Sequence, residues 1–219
     1  MTNMLPTSII VADDHSMVRK GITLLLTARL KCKHVAEAAT CNALMNELKK
    51  GGVTHVILDV IFPDGTSLEV VPIIRNLYPA IRIMIFSMQP VDIYASAFRQ
   101  YGIQYYLSKA ANEEDTVSTI KRFLDNEPDL SQPIQAAGSN TNPFSMLAPR
   151  ELEILHYLLN GHKTSDIAKN LNLGNSTVST LKARIFEKTQ TTSLAQLFEI
   201  AQLNNFNFLV NTPKYTGSE

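Results

Sequence analysis

Five short apolar runs, each followed by an amphipathic stretch, occupy the chain up to about residue 125. Ile9-Ile10-Val11-Ala12 leads into Val18, Ile22, Leu25, Leu26 and Leu30, which recur at helical spacing. His34-Val35-Ala36, the weakest run, leads into Leu44 and Leu48, with Gly51-Gly52 as a stop. Val56-Ile57-Leu58 precedes Leu68, Val71 and Ile74, ending near Pro79. Ile81 to Phe86 precedes a helical pattern from Val91 to Arg99 closed by Gly102, and Ile103 to Leu107 precedes Val117, Ile120 and Leu124. Consecutive parallel strands need crossover helices, and runs apolar on both faces fit a sheet covered on both sides. The expectation is an α/β doubly wound, five-stranded parallel sheet. In such a sheet ligands gather at the carboxyl ends of the strands, near the point where strand order reverses.

The residues that follow each run are therefore the ones to inspect. The first run ends in Asp13-Asp14, the third in Asp59, the fourth in Ser87, and the fifth is followed by Lys109. Singly, an Asp or Ser after a strand is usually a cap and a Lys a solvated charge. Together they bring three carboxylates, a hydroxyl and an ammonium to one edge of the sheet. Carboxylates so close repel one another and resist desolvation, a cost that a divalent cation removes. An all-oxygen set suits Mg²⁺, held by Asp13, Asp14 and Asp59. In that setting Asp59 can attack phosphorus and become an acyl phosphate. Lys109 supplies a fixed positive charge to a phosphoryl oxygen, and Ser87 a hydrogen bond, so that catalysis rests on position and charge.

Other features bound the rest. From Glu127 to Phe144 the chain holds Pro128, Pro133, Gly138 and Pro143 among polar residues, with no apolar period, which reads as a linker. Beyond it the pattern is purely helical. The boundaries drawn are 1–126, a linker over 127–144, and a helical domain with a tail over 145–219. Basic and acidic residues balance, 20 against 20, so any basic surface is local. Cys32 and Cys41 have no metal-ligand spacing and read as reduced thiols. No signal peptide or membrane-length apolar run is visible, so the expected location is the cytoplasm.

Val11-Ala12-Asp13-Asp14-His15-Ser16-Met17-Val18-Arg19-Lys20-Gly21 resembles the opening of receiver domains in two-component response regulators of the NarL/FixJ type. Asp59-Val60-Ile61-Phe62-Pro63-Asp64-Gly65 is similar to their phosphoacceptor strand and loop, and Tyr106-Leu107-Ser108-Lys109 to their switch aromatic and lysine. The resemblance implies a flavodoxin-like receiver, with Asp59 phosphorylated by a sensor histidine kinase. It also implies Ser87 turning toward the phosphate, Tyr106 swinging inward, and the backbone carbonyl of Ile61 as a further Mg²⁺ ligand. Such a protein is not an enzyme toward other substrates; it catalyses only its own phosphoryl transfer and autodephosphorylation. Two departures stand out. Ser67 replaces a usual Gly, and Met88 follows Ser87 where a small residue is usual, which is expected to slow hydrolysis of the acyl phosphate.

Residues 145–203 resemble the LuxR-type helix-turn-helix module. Leu147-Ala148-Pro149-Arg150-Glu151-Leu152 is its opening, with Pro149 at the first helical position, Glu151 and Glu153 near the helix N-terminus, and Ala148 where a capping Thr is usual. Gly161 closes that helix, and Thr164 or Ser165 is expected to cap the next. The third helix, starting at Ser176-Thr177-Val178, buries Val178, Leu181 and Ile185. By resemblance it enters the major groove with Ser176, Thr177, Ser179, Thr180, Lys182, Ala183, Arg184 and Lys188 as contacts. A last helix, Leu194 to Leu203, can mediate dimerisation in related proteins. The implied function is phosphorylation-controlled DNA binding and transcription, with promoter half-sites and a homodimer of the phosphorylated chain as partners and no membrane. Ser179 and Leu181 stand where the family usually has Lys and His. That cation-poor face supports an alternative, a phosphorylation-dependent protein-interaction module without specific DNA. A phosphohydrolase is disfavoured because Ile61 occupies the second Asp position of the common DxD motif.

Overall fold

The computed structural model describes residues 7–127 and 142–206. These form two compact units, one on each side of the undescribed stretch. Most of the expected linker, residues 128–141, lies outside the described residues, as does the tail from residue 207.

In the first unit, strands and helices alternate as the apolar runs require. The order is β1 (Ser8–Ala12), α1 (Ser16–Leu24), β2 (His34–Ala38), α2 (Cys41–Lys49), β3 (His55–Leu58), β4 (Ile61–Phe62), β5 (Gly65–Thr66), α3 (Ser67–Leu77), β6 (Arg82–Ser87), α4 (Val91–Arg99), β7 (Tyr105–Ser108) and α5 (Glu113–Leu124). The main sheet is parallel throughout in the order β2-β1-β3-β6-β7, so strand order reverses between β1 and β3. On one face Ile9, Val11, Ile57, Met84, Phe86, Tyr105 and Leu107 pack with Ile22 and Leu26 and with Ile120 and Phe123 of α5. The alternate residues Ile10, Val56, Leu58, Ile83 and Ile85 are buried as well, which is why these strands are apolar without a break.

Three local details depart from the sequence pattern. The first helix does not run regularly to Leu30: it passes at Leu25–Arg29 into a π-turn. The fifth strand begins at Tyr105 rather than Ile103, because the Ile103 N–H bonds the Phe98 carbonyl at 3.2 Å and stays in the turn closing α4, with Gly102 at φ 71°. β4 and β5 form an antiparallel ribbon around Pro63-Asp64, too short for a period of two to reveal. Asp64 also caps α2 from a distance. Its two carboxylate oxygens accept the N–H groups of Cys41 and Asn42 at 2.8 and 2.9 Å.

The second unit opens with a 3₁₀ turn, Pro143–Met146, followed by α6 (Pro149–Leu159), α7 (Thr164–Asn170), α8 (Asn175–Thr189) and α9 (Leu194–Leu203). Phe144, assigned above to the linker, is fully buried with its ring 5.3 Å from Phe206, so residues from Asn142 onward belong to this unit. At the start of α6, Glu151 accepts the Ala148 N–H at 2.8 Å, so the backbone donor is satisfied although Ala148 has no hydroxyl. α7 is not capped by Thr164 or Ser165. Lys163 is its N-cap, and the Lys163 carbonyl accepts from Asp166 and Ile167 at 2.9 and 3.0 Å, which makes Thr164 already helical. Gly161, at φ 77°, turns the chain out of α6. Among the described residues no helix is long and apolar enough to cross a membrane.

Each unit buries one neutral imidazole. His55 at the start of β3 bonds Thr54 Oγ1 through Nδ1 at 2.8 Å and meets Phe123 edge-on. Burial, helped by the charge of Arg82, lowers its pKa to about 4. His156 in α6 is likewise lowered to about 4, by burial and then by His162. Both folded values lie below the unfolded one, so protonation favours the unfolded chain. Stability is expected to be full above about pH 6.5 and to fall as pH drops toward 4, by on the order of 3 kcal/mol at most per histidine. Urea unfolding at half-unit pH intervals checks this; a flat profile between pH 6.5 and 4.5 contradicts it.

Candidate functional site

The register of the sheet aligns the carboxyl ends of its strands: Ala12 pairs with Leu58, and Ser87 with Ser108. The residues just beyond, Asp13, Asp59 and Lys109, therefore meet, with Ser87 closing β6 beside them. Asp13, Asp59 and Ser87 are buried to 5 % exposure or less. Lys109 Nζ lies 2.7 Å from Asp13 Oδ2 and 2.6 Å from Asp59 Oδ2. Asp59 Oδ1 accepts from the Ser87 hydroxyl and from the Val60 N–H, both at 2.6 Å. Asp14 is half-buried at the rim. His15, which no spacing rule singles out, joins the group: its Nδ1 is 2.6 Å from Asp14 Oδ1 and 3.3 Å from Asp13 Oδ1. One ligand atom from each of Asp13, Asp14, His15 and Asp59 falls within 4.8 Å of the others.

The electrostatics are unbalanced toward negative charge. Burial pushes the Asp59 carboxyl above the ordinary carboxylate range, against the pull of Lys109 and Ser87, and Asp13 adds to the rise. Burial acts downward on Lys109, but Asp59 and Asp13 hold its ammonium above the usual value. One ammonium thus serves two buried carboxylates with a third, Asp14, at the rim beside them, and a divalent cation bound by their oxygens would relieve the excess. Ile61 opens β4 two residues past Asp59. Tyr106 lies inside, 5 % exposed, and its hydroxyl donates to the Gln89 carbonyl at 3.0 Å. Burial raises its phenol well above the ordinary range, so it stays neutral. Ser67 is fully buried at the start of α3, and Met88 is 52 % exposed directly after Ser87.

On α8, Val178 and Ile185 are buried and Leu181 half-buried. Ser176, Thr177, Ser179, Thr180, Ala183 and Arg184 are exposed on the outward side. The Thr180 hydroxyl bonds back to the Ser176 carbonyl at 2.9 Å. Lys182 lies over the Phe186 ring, 5.6 Å from its centroid. Lys188 differs from the expectation of a free nucleic-acid contact. Its Nζ is 2.6 Å from Glu151 Oε2 and 3.3 Å from the Met146 carbonyl. The Glu151 side chain is 4 % exposed, and a carboxylate so buried needs a partner charge. Glu153, equally buried, pairs with Arg150, whose other nitrogen bonds the Leu171 carbonyl at 3.1 Å.

Residues 9–121 match the family model of the response regulator receiver domain. Residues 145–201 match that of bacterial regulatory proteins, luxR family. Among similar proteins, response regulator GacA of Pseudomonas aeruginosa is 29% identical over 204 residues, covering 88% of this chain and 94% of the relative. Response regulator UvrY of Escherichia coli is 26% identical over 202 residues, covering 89% and 93%. Among solved structures, the RcsB response regulator of Salmonella typhimurium, described for its conformational dynamism in DNA interaction, gives a TM-score of 0.77 at 25% identity over 92% of this chain and 99% of that one. RcsB from Salmonella enterica serovar Typhimurium, bound to the promoter P1flhDC in the presence of the phosphomimetic BeF3−, gives 0.76 at 25% identity over 92% and 98%.

Removing Lys188 leaves the buried Glu151 carboxylate uncompensated. Discounted for the partial exposure of Lys188, the expected cost of Lys188→Ala to the helical unit is about 1–2 kcal/mol. Lys182→Ala is expected to be nearly neutral. Thermal unfolding of both variants reads the difference, and equal melting temperatures contradict the pairing.

Proposed function

This chain belongs to the response regulator family, a receiver domain joined to a LuxR-family helical domain, and from that membership we propose a transcription regulator switched by phosphorylation of Asp59. The observation that carries the proposal is the placement of Asp59, with one oxygen at 2.6 Å from Lys109 and the other at 2.6 Å from Ser87, inside a cluster of further carboxylates.

The chemistry starts with a phosphohistidine on a sensor histidine kinase, the partner that a receiver domain implies. A carboxylate oxygen of Asp59 attacks phosphorus; a P–O bond forms as the P–N bond to the imidazole breaks, and the imidazole keeps the electron pair. Asp13, Asp14 and Asp59, with the Ile61 carbonyl, would hold Mg²⁺, whose positive charge offsets that of the phosphoryl oxygens in transfer. Lys109 remains charged throughout and pairs with a phosphoryl oxygen, and the Ser87 hydroxyl donates to another. Tyr106, buried and neutral, is hydrogen-bonded to Ser87, so its position is sensitive to what Ser87 binds. The new charge and acceptors bias the receiver and thereby control the helical domain.

For the helical domain, the support is the luxR-family match together with a 25%-identical relative solved on promoter DNA. The outward residues of α8 are the proposed contacts, with Lys188 removed from that set. The working form is a homodimer on two half-sites, acting in the cytoplasm. Beyond receiving phosphate and losing it to water, no activity toward other substrates is proposed. Met88, beside the acceptor, is proposed to restrict the approach of water.

Two measurements test this reading. The protein is incubated with fragmented genomic DNA, with and without Mg²⁺ and beryllofluoride, and retained DNA is sequenced. A shared, two-fold-related site that enriches with the mimic is expected, and Asp59→Asn is expected to abolish the response. No enrichment in either state, with mimic binding confirmed, overturns the DNA reading in favour of a protein partner. Separately, Met88→Ala is expected to speed loss of the acyl phosphate several-fold; an unchanged dephosphorylation rate removes the role given to Met88.

A further inference from the structure

Asp13 and Asp14 lie between β1 and α1, where no ladder hydrogen bonds fix the chain beyond one from the Asp13 N–H to the Ala38 carbonyl at 3.0 Å. Carboxylates that act as a pair need their backbone held. The holding group is Arg19. Its Nη1 donates to the carbonyl of Asp13 at 2.6 Å and to that of Asp14 at 3.0 Å. Its Nε donates to Glu37 Oε2 at 3.3 Å. Glu37 is itself placed by the sheet, paired with Val11 across β1 and β2, and its other oxygen accepts from Thr23 Oγ1 at 3.3 Å. The Arg19 side chain is only 14 % exposed although it sits on a surface helix. A side chain so enclosed, spending two nitrogens on two adjacent carbonyls and one acid, does more than solvate a charge.

We propose that Arg19 is the positioning residue of the acidic pocket: it clamps the backbone of Asp13 and Asp14 so that their carboxylates are pre-aimed at a divalent cation. The proposal rests on reading the pocket as a cation site. Its physical logic is that of a group outside the ligands which orients them, where loss commonly costs 10–100-fold in metal affinity.

Charge and position make opposite predictions here. As a cation near the site, Arg19 repels a metal ion, so its removal would tighten binding on Coulomb grounds alone. As a clamp, its removal weakens binding. Mg²⁺ is titrated into full-length protein and followed by amide chemical shifts of the pocket, for wild type, Arg19→Gln and Arg19→Lys, with melting temperatures alongside. Arg19→Gln is expected to raise the Mg²⁺ Kd about tenfold. Arg19→Lys keeps the charge but offers one nitrogen where the guanidinium uses two, and is expected to weaken binding to a lesser degree. Unchanged or tighter binding by Arg19→Gln overturns the clamp. Should that variant fail to fold, Arg19→Lys decides: weaker binding supports the clamp and wild-type binding overturns it. Wild-type protein that takes up no Mg²⁺ overturns the cation site itself, and the clamp with it.

Discussion

The ammonium of Lys109, held between Asp13 and Asp59 at 2.7 and 2.6 Å, is the contact on which the first unit turns. A parallel sheet covered on both faces sends its strand ends to a single edge, and this sequence places acids at two of them and a lysine at a third. Without Lys109 the two buried carboxylates would face each other across low-dielectric protein. With it they remain a pair that still carries excess negative charge, in a site whose burial pushes the Asp59 carboxyl upward despite the lysine. The pocket is stable enough to form yet short of positive charge, which is the condition for taking up a cation and a phosphoryl group together.

The helical unit solves a related problem by other means. Glu151 in the first turn of α6 and Glu153 just after it are both buried, and each is matched by a cation, Lys188 and Arg150. Glu151 also closes the helix start that Ala148 leaves without a hydroxyl. One carboxylate thus serves as cap and as anchor for the end of α8, and the short 3₁₀ turn joins in through the Met146 carbonyl.

What sequence reading could reach follows from period and position. The βα alternation, the strand ends and the four pocket residues Asp13, Asp59, Ser87 and Lys109 all depend on local spacing and on the rule that parallel strands point the same way. Partnerships across the chain were out of reach. Asp64 caps a helix that starts 23 residues earlier, Arg19 of α1 meets Glu37 of β2, and Lys188 finds an acid 37 residues away. No periodicity encodes these meetings; they exist only once the chain has folded. The cap of α7 departs from the sequence expectation because the Lys163 backbone carbonyl, and not a hydroxyl, accepts from the first turn. His15 lay in plain view, but its ring matters only because the turn after β1 bends it back onto Asp14.

The tie between Lys188 and Glu151 divides the surface of α8 into fixed and variable parts. Lys188 answers to the stability of its own fold and cannot drift without loss, whereas Ser176, Thr177, Ser179 and Arg184 answer only to what lies outside. A substitution at any of those four exposed positions leaves the frame beneath constant, whatever the outer face meets. The same division tells an engineer which letters of the helix can be rewritten.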